Sequence, residues 1–368
     1  MTTFGLPFIT GFPSEEPERF GNFEVVARLG GDGAAEVLQC LDVSPAGEHR
    51  TVVIRRMREG LTESRSLARL FLAEARLAQG LSHPNLARVL EVDEIDTTPY
   101  MVVEHVPGPN LAEIIDHAWQ SRVPCARFVA RILAEVAGAL AHAHLACDAR
   151  GRPLGIVHRE VTLQNIVLAS GEEPTLLDFG VLRLPGRTTG PCARQGRLYY
   201  LAPEQLRGAF GDGRADVYSL GVCLYLAATG RSPYPSGDEL AIQRAVARGD
   251  FLRPSVANPF IEPELEELIE WAMNPSVDRR PSALALRQAL ATYSSRGFDR
   301  VTLPTVGSFV RELLGTSADP HEAVESFPQL PPVVRPDGTA PGPSRLRTGW
   351  AAFLRKLVGR LRRPVPLT

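Results

Sequence analysis

The sequence predicts an α+β chain of two lobes, a small antiparallel β-rich lobe followed by a larger helical one. Three observations carry that reading. From Phe23 to about residue 107, short β-type runs alternate with glycine and polar turns, broken by a single helical stretch. From Leu111 to about residue 293, apolar residues recur at helix spacing. Of the 368 residues, 44% are hydrophobic, enough to bury a sizeable core in each lobe.

Residues 1–20 read as a flexible arm. "FEVVARLG", "AEVLQCLDV" and "TVVIRRM" follow as a meander of strands. "ESRSLARLFLAEARLAQGL" places Leu67, Leu70, Phe71, Glu74, Leu77 and Ala78 at helix spacing. "ARVLEVDEID" and "YMVVEHV" read as two more strands, closing the small lobe at residues 21–107. In the large lobe, residues 108–293, "FVARILAEVAGALAHAHLAC" is a long apolar helix. "ADVYSLGVCLYLAATG" is apolar nearly all round, as a fully buried helix must be. Residues 294–326 can form a short helical extension through "LPTVGSFVRELLG", and the proline- and glycine-rich stretch 327–343 reads as an extended linker. Helical spacing returns at 344–363, and the chain carries no internal repeat.

Charge and cysteine usage exclude several classes. The formal net charge is -2, so the whole chain has no nucleic-acid signature. The cysteines Cys40, Cys125, Cys147, Cys192 and Cys223 are scattered and form no C-x-x-C pair. That pattern fits buried free thiols in a reducing compartment, not a disulfide framework or a zinc site. The N-terminus lacks the basic start and apolar run of a signal peptide, and no stretch approaches the roughly 20 apolar residues of a spanning helix. A cytoplasmic location is expected. Lys356 is the only lysine, and the other basic residues are arginine, which a coding bias alone would explain.

Within this frame, motifs occur in a fixed order. "RLGGDGAAEV" is a glycine-rich turn between two strands. "TVVIRRM" is a strand ending in a cation, and Glu74 lies on the next helix at the spacing needed to pair with it. "VHREVTLQN", "LLDFG" and "YYLAPEQ" come after. The order and spacing resemble the protein kinase family, in its bacterial serine/threonine branch, over about residues 21–293. The small side chain in "REVTLQN", with the "GRPLGIVH" approach, resembles a subgroup from high-GC social bacteria.

The resemblance implies ATP and Mg2+ as cofactors and a protein substrate or partner. It implies catalytic roles for Glu160, Asn165 and Asp178, with Asn165 and Asp178 as magnesium ligands. It also implies nucleotide contacts at Gly30, Gly31, Gly33, Val37, Val53, Arg55, Glu74, Glu104 and Val106. Phe179 and His158 should pack behind the site, Glu204 should pair with Arg280, and Asp216 should anchor the catalytic loop. Those scaffold positions match the family.

The phosphate-handling positions depart from it. Asp32 stands where the second glycine of the loop belongs and Ala35 where the third belongs, although glycines there let backbone N–H groups approach phosphate. Arg55 takes the lysine position, keeping the charge but arranging its donors as a bulkier planar fork. No lysine elsewhere before Lys356 can replace it. Val53 stands where an alanine normally roofs the adenine. Glu160 replaces the catalytic aspartate and moves the carboxylate by one methylene, about the 1 Å displacement that can cost roughly 10²-fold in rate. Together these departures imply a pseudokinase: a binding or scaffold module with weak nucleotide binding and little or no transfer. The alternative is a low-activity serine/threonine kinase using Arg55, Glu160, Asn165 and Asp178.

Three further features belong to this reading. Thr162 sits where many kinases carry a catalytic-loop lysine and Arg197 where they carry a threonine, so the cation has the option of crossing to the facing loop. Arg159 is placed to receive a phosphate at Thr188 or Thr189, or the loop is unmodified. Residues 345–363 hold seven cations and no acid, around a stripe of Leu346, Trp350, Phe353, Leu354, Leu357 and Leu361. Such a helix lies on an anionic membrane, docks into a partner, or packs back on its own lobe.

Overall fold

In the computed structural model the described residues are 18–31, 34–44, 49–169, 173–179, 198–208, 211–234 and 238–295. Residues 1–17, Asp32, Gly33, Thr188, Thr189, Cys192, Arg197 and everything after Ser295, the extension, linker and basic segment included, lie outside the described residues.

Period-2 alternation builds the first lobe. Strands β1 (Arg19–Phe20), β2 (Phe23–Gly31), β3 (Ala35–Asp42) and β4 (Thr51–Met57) are followed by the one-turn helix α1 (Glu59–Thr62) and by α2 (Arg65–Gln79). Strands β5 (Val89–Ile95) and β6 (Thr98–Glu104) complete an antiparallel sheet ordered β1-β2-β3-β4-β6-β5. Successive side chains of a strand point to opposite faces. On β4, Val52 and Ile54 therefore join one apolar layer with Phe23, Leu38 and Tyr100. Val53 and Met57 face the other layer, where Phe71 and Ala75 of α2 pack. Arg55, between Val53 and Met57, shares that second face.

The expected arm ends earlier than residue 20. Glu18 accepts from Arg28 and Arg56, and Phe20 buries its ring edge-on against Tyr100 at 5.3 Å. A buried aromatic ring gives the chain a reason to join the sheet that composition did not register.

The second lobe is helical. In chain order it contains α3 (Leu111–Gln120), α4 (Ala126–His144), the short pair β7 (Ile166–Ala169) and β8 (Glu173–Leu176), α5 (Pro203–Leu206) and α6 (Arg214–Thr229). Then come α7 (Glu239–Arg248), α8 (Pro254–Ala257), α9 (Pro263–Ala272) and α10 (Ala283–Ser295). A reciprocal cap starts α3: Asn110 Oδ1 accepts from Glu113 N at 3.1 Å while the Glu113 carboxylate accepts from Asn110 N at 3.0 Å. Every residue of α6 from Ala215 to Thr229 is buried, as its all-round apolar pattern requires, and Gly230 ends it with φ 63°. The cysteines described, Cys40, Cys125, Cys147 and Cys223, are free thiols. No helix among the described residues is long and apolar enough to cross a membrane.

Candidate active site

The loop between α4 and β7 is hung from α6. Asp216, fully buried, accepts at Oδ2 from His158 N (2.8 Å) and at Oδ1 from Arg159 N (2.7 Å), and His144 Nε2 lies 2.8 Å from Oδ2. Burial opposes ionisation of Asp216. The His144 hydrogen bond and charge, the charge of His158 and the Arg159 N–H outweigh it and hold the carboxyl below its usual range. With both N–H groups fixed, Arg159 is held at φ 65°, a left-handed conformation costly for a side chain of this kind. His158 packs against Phe179 with ring centroids 4.5 Å apart.

Past this anchor, Glu160 and Thr162 are buried, and Asn165 Nδ2 donates to Glu160 O at 2.8 Å. Asn165 O in turn accepts from Leu177 N at 2.8 Å, which joins the loop to the segment carrying Asp178. Asp178 has φ 61°, a region that aspartate tolerates better than most residues. Asn165, Asp178 and the Glu160 loop, far apart in the chain, are thus brought to one place at the junction of the lobes.

From the small lobe, β4 sends Arg55 into the same place. Its side chain is 3% exposed, and Nη1 donates to Asp178 Oδ1 at 2.5 Å. Glu74 of α2, expected as the partner of Arg55, makes its ion pair with Arg159 Nη1 at 3.0 Å. Spacing along the chain gave neither of these two ion pairs. A cavity of about 60 Å³ lies beside this second pair, lined by Glu74, Leu77, Gly155, Val157, Arg159 and Phe179 among others.

The roof is formed by β2, β3 and β4. Val37 is paired with Gly30 on one side and with Arg55 on the other, and Val53 is opposite Gln39. Gly31 has φ 141°, and a Cβ there would stand 2.5 Å from Ala35 O, so only glycine fits. Ala35 itself is fully buried in the small-lobe core, which accounts for a small side chain at that position without reference to phosphate. At the far edge, Glu104 Oε1 accepts from Arg88 N at 2.8 Å, and Val106 packs against the small-lobe core. Deep in the large lobe, Arg280 grips Glu204 with two hydrogen bonds of 2.7 and 2.6 Å.

By donor type, Asp178 and Asn165 suit a hard divalent cation, which takes a carboxylate, amide oxygens and substrate phosphates. Among the described residues no three His, Cys, Asp or Glu side chains gather around a further metal site. One carboxylate oxygen of Asp178 already accepts from Arg55, so a cation there would share Asp178 with a buried guanidinium or displace it. Sequence reasoning did not find the Arg55–Asp178 pair, the Glu74–Arg159 pair or His144. Only the "HAHLAC" run hinted at the last.

Compared with known proteins, residues 23–291 match the family model described as the protein kinase domain. A Myxococcus xanthus protein named tyrosine-protein kinase MasK is 32% identical over 302 residues, covering 80% of this chain and 46% of that protein. Serine/threonine-protein kinase PknB of Mycolicibacterium smegmatis is 30% identical over 326 residues, covering 86% and 49% respectively. The chain thus spans about half the length of these curated relatives. The crystal structure of the Mycobacterium tuberculosis PknI kinase domain is similar in fold, with a TM-score of 0.54 and 24% identity over 75% of this chain and 98% of that one.

Proposed function

The chain belongs to the protein kinase family, and from that premise we propose that it works as a signalling scaffold, a pseudokinase that engages a protein partner, holds nucleotide weakly and transfers little or no phosphate. The observation that carries this reading is the contact of the buried Arg55 Nη1 with Oδ1 of the half-buried Asp178 at 2.5 Å. The family uses ATP and Mg2+, and Asp178 with Asn165 would hold the cation when Mg·ATP is bound. The bound cation would supply charge neutralisation to the phosphates. Arg55 stays charged at every accessible pH, so Asp178 already faces a positive charge before any cation arrives. Incoming Mg·ATP must offset the loss of this contact before it can use Asp178.

Glu160 supports the same reading. Its backbone holds Asn165 in place, but its carboxylate is one methylene beyond the aspartate that the family uses as base. A low-activity serine/threonine kinase is the second reading. What favours it is the preserved anchoring of the loop by Asp216 and the proximity of Asn165 to the Asp178 segment. The basic segment 344–363 is read as seeking an anionic surface, a membrane or a protein face.

Incubation of the purified chain with γ-labelled ATP and Mg2+ is expected to give negligible self-labelling and negligible labelling of a generic protein substrate. Robust incorporation that disappears in Asp178→Ala would establish the second reading instead.

A further inference from the structure

The outer surface of the large lobe carries a helix face of mixed character. Leu265, Leu268, Ile269 and Ala272 of α9 are buried, and the helical period turns Glu266, Glu267 and Glu270 away from them. Beside these acids stands α8, fixed by Ser255 N donating to Glu266 Oε1 at 3.0 Å and by Arg253 lying 3.7 Å from Glu270. Helix α8 presents Val256 at 63% exposure, and the turn after it presents Phe260 at 55%. Trp271, on α9 itself, is also exposed. Two apolar side chains so open, flanked by a row of carboxylates, contribute nothing to the core beneath them and suit a cationic amphipathic partner.

Such a partner lies in the same chain. Arg127 ties the end of α10 to the start of α9, donating from Nη1 to Tyr293 O at 2.9 Å and from Nε to Glu262 at 3.0 Å. The described chain therefore ends, at Ser295, near the acidic helix. Forty-eight residues, 296–343, separate it from the basic segment. Even at the helical rise of ~1.5 Å per residue, that length of chain reaches roughly 70 Å, several times the ~15 Å length of α9. Tethering of this kind presents the segment at a local concentration on the order of millimolar.

We propose that residues 344–363 dock on the α8–α9 face of their own large lobe. Trp350, Phe353, Leu354 and Leu357 cover Val256 and Phe260, and the flanking cations meet Glu266, Glu267 and Glu270. Segment and face match in both charge and apolar content. An anionic membrane would satisfy the segment but leave Val256 and Phe260 in water.

The test replaces Trp350, in the full chain, with photoreactive benzoylphenylalanine and maps the crosslinks by mass spectrometry at high dilution. Crosslinks within one chain to residues 253–271 are expected. Arg355→Glu with Lys356→Glu should abolish them, and adding Glu267→Lys with Glu270→Lys should restore them. Glu267 is exposed and Glu270 half-buried beside Arg253, and an unchanged melting temperature verifies the fold. The proposal is overturned by crosslinks that fall elsewhere on the lobes, that join two chains, that ignore the charge reversal, or that form only with phosphatidylserine vesicles and then only to lipid.

Discussion

Asp216 is buried on all sides and yet holds its carboxyl below the ordinary range, because His144, His158 and the Arg159 N–H stabilise its charged form against the cost of burial. The sign of the resulting pH dependence follows. A depressed folded-state value contributes stability above the unfolded value of about 3.9 and loses it as pH falls through the folded value. Asp216→Asn is therefore expected to cost about 3 kcal/mol at pH 7, through two charge-assisted bonds weakened, and to flatten the loss of stability below about pH 4. Urea titrations at pH 7 and pH 3.5 check both halves, and a variant as pH-sensitive as the parent would refute the assignment. This anchor was legible in the sequence, as was the Glu204–Arg280 grip. Both join residues of fixed motifs, and α6 declared itself by being apolar all round. The partner of Arg55 was not legible. Asp178 lies 123 residues away in the chain, and spacing alone could not say that a longer, forked cation would reach it.

At the scale of elements, alternation along β4 decides the site. It turns Arg55 to the face shared with Val53 and Met57, so the cation meets the large lobe and α2, not the outer layer around Tyr100. All the strands of the small-lobe sheet except β1 were read as β-type runs bounded by turns. The pairing of α2 is not a property of such runs: Glu74 meets Arg159 on a loop whose backbone is at positive φ and bonded to Asp216. The connection from β6 to α3 is as constrained as the strands. Gly108 has φ 150°, and a Cβ there would lie 2.2 Å from Leu168 O, where β7 runs beneath the connection. Gly108→Ala is expected to destabilise by at least about 1–3 kcal/mol from backbone strain, with the clash added. A midpoint of urea unfolding within error of the parent would show that the connection can move aside.

For the whole molecule, the two lobes meet through charge at the site, and nucleotide binding reports on how that contact is set. A ligand at 100 times its Kd raises stability by about 2.7 kcal/mol, which at 2–4 °C per kcal/mol for a domain of this size is roughly 5–10 °C in melting temperature. With Arg55 on Asp178, millimolar Mg·ATP is expected to raise the melting temperature of the full chain by less than about 2 °C. The combined change Arg55→Lys, Glu160→Asp, Asp32→Gly and Val53→Ala then separates two causes. If the defect is local, the shorter, more mobile ammonium releases Asp178, the roof opens, and the same nucleotide should give the larger rise together with measurable phosphate transfer. If the defect is instead the position of α2, Glu74 remains on Arg159 in the repaired chain as in the parent. Nucleotide would then bind more tightly without transfer, since α2 would keep Glu74 on Arg159. A repaired chain that folds but neither binds nor transfers would show that neither the four positions nor α2 limits the site, and the pseudokinase reading would need another physical basis.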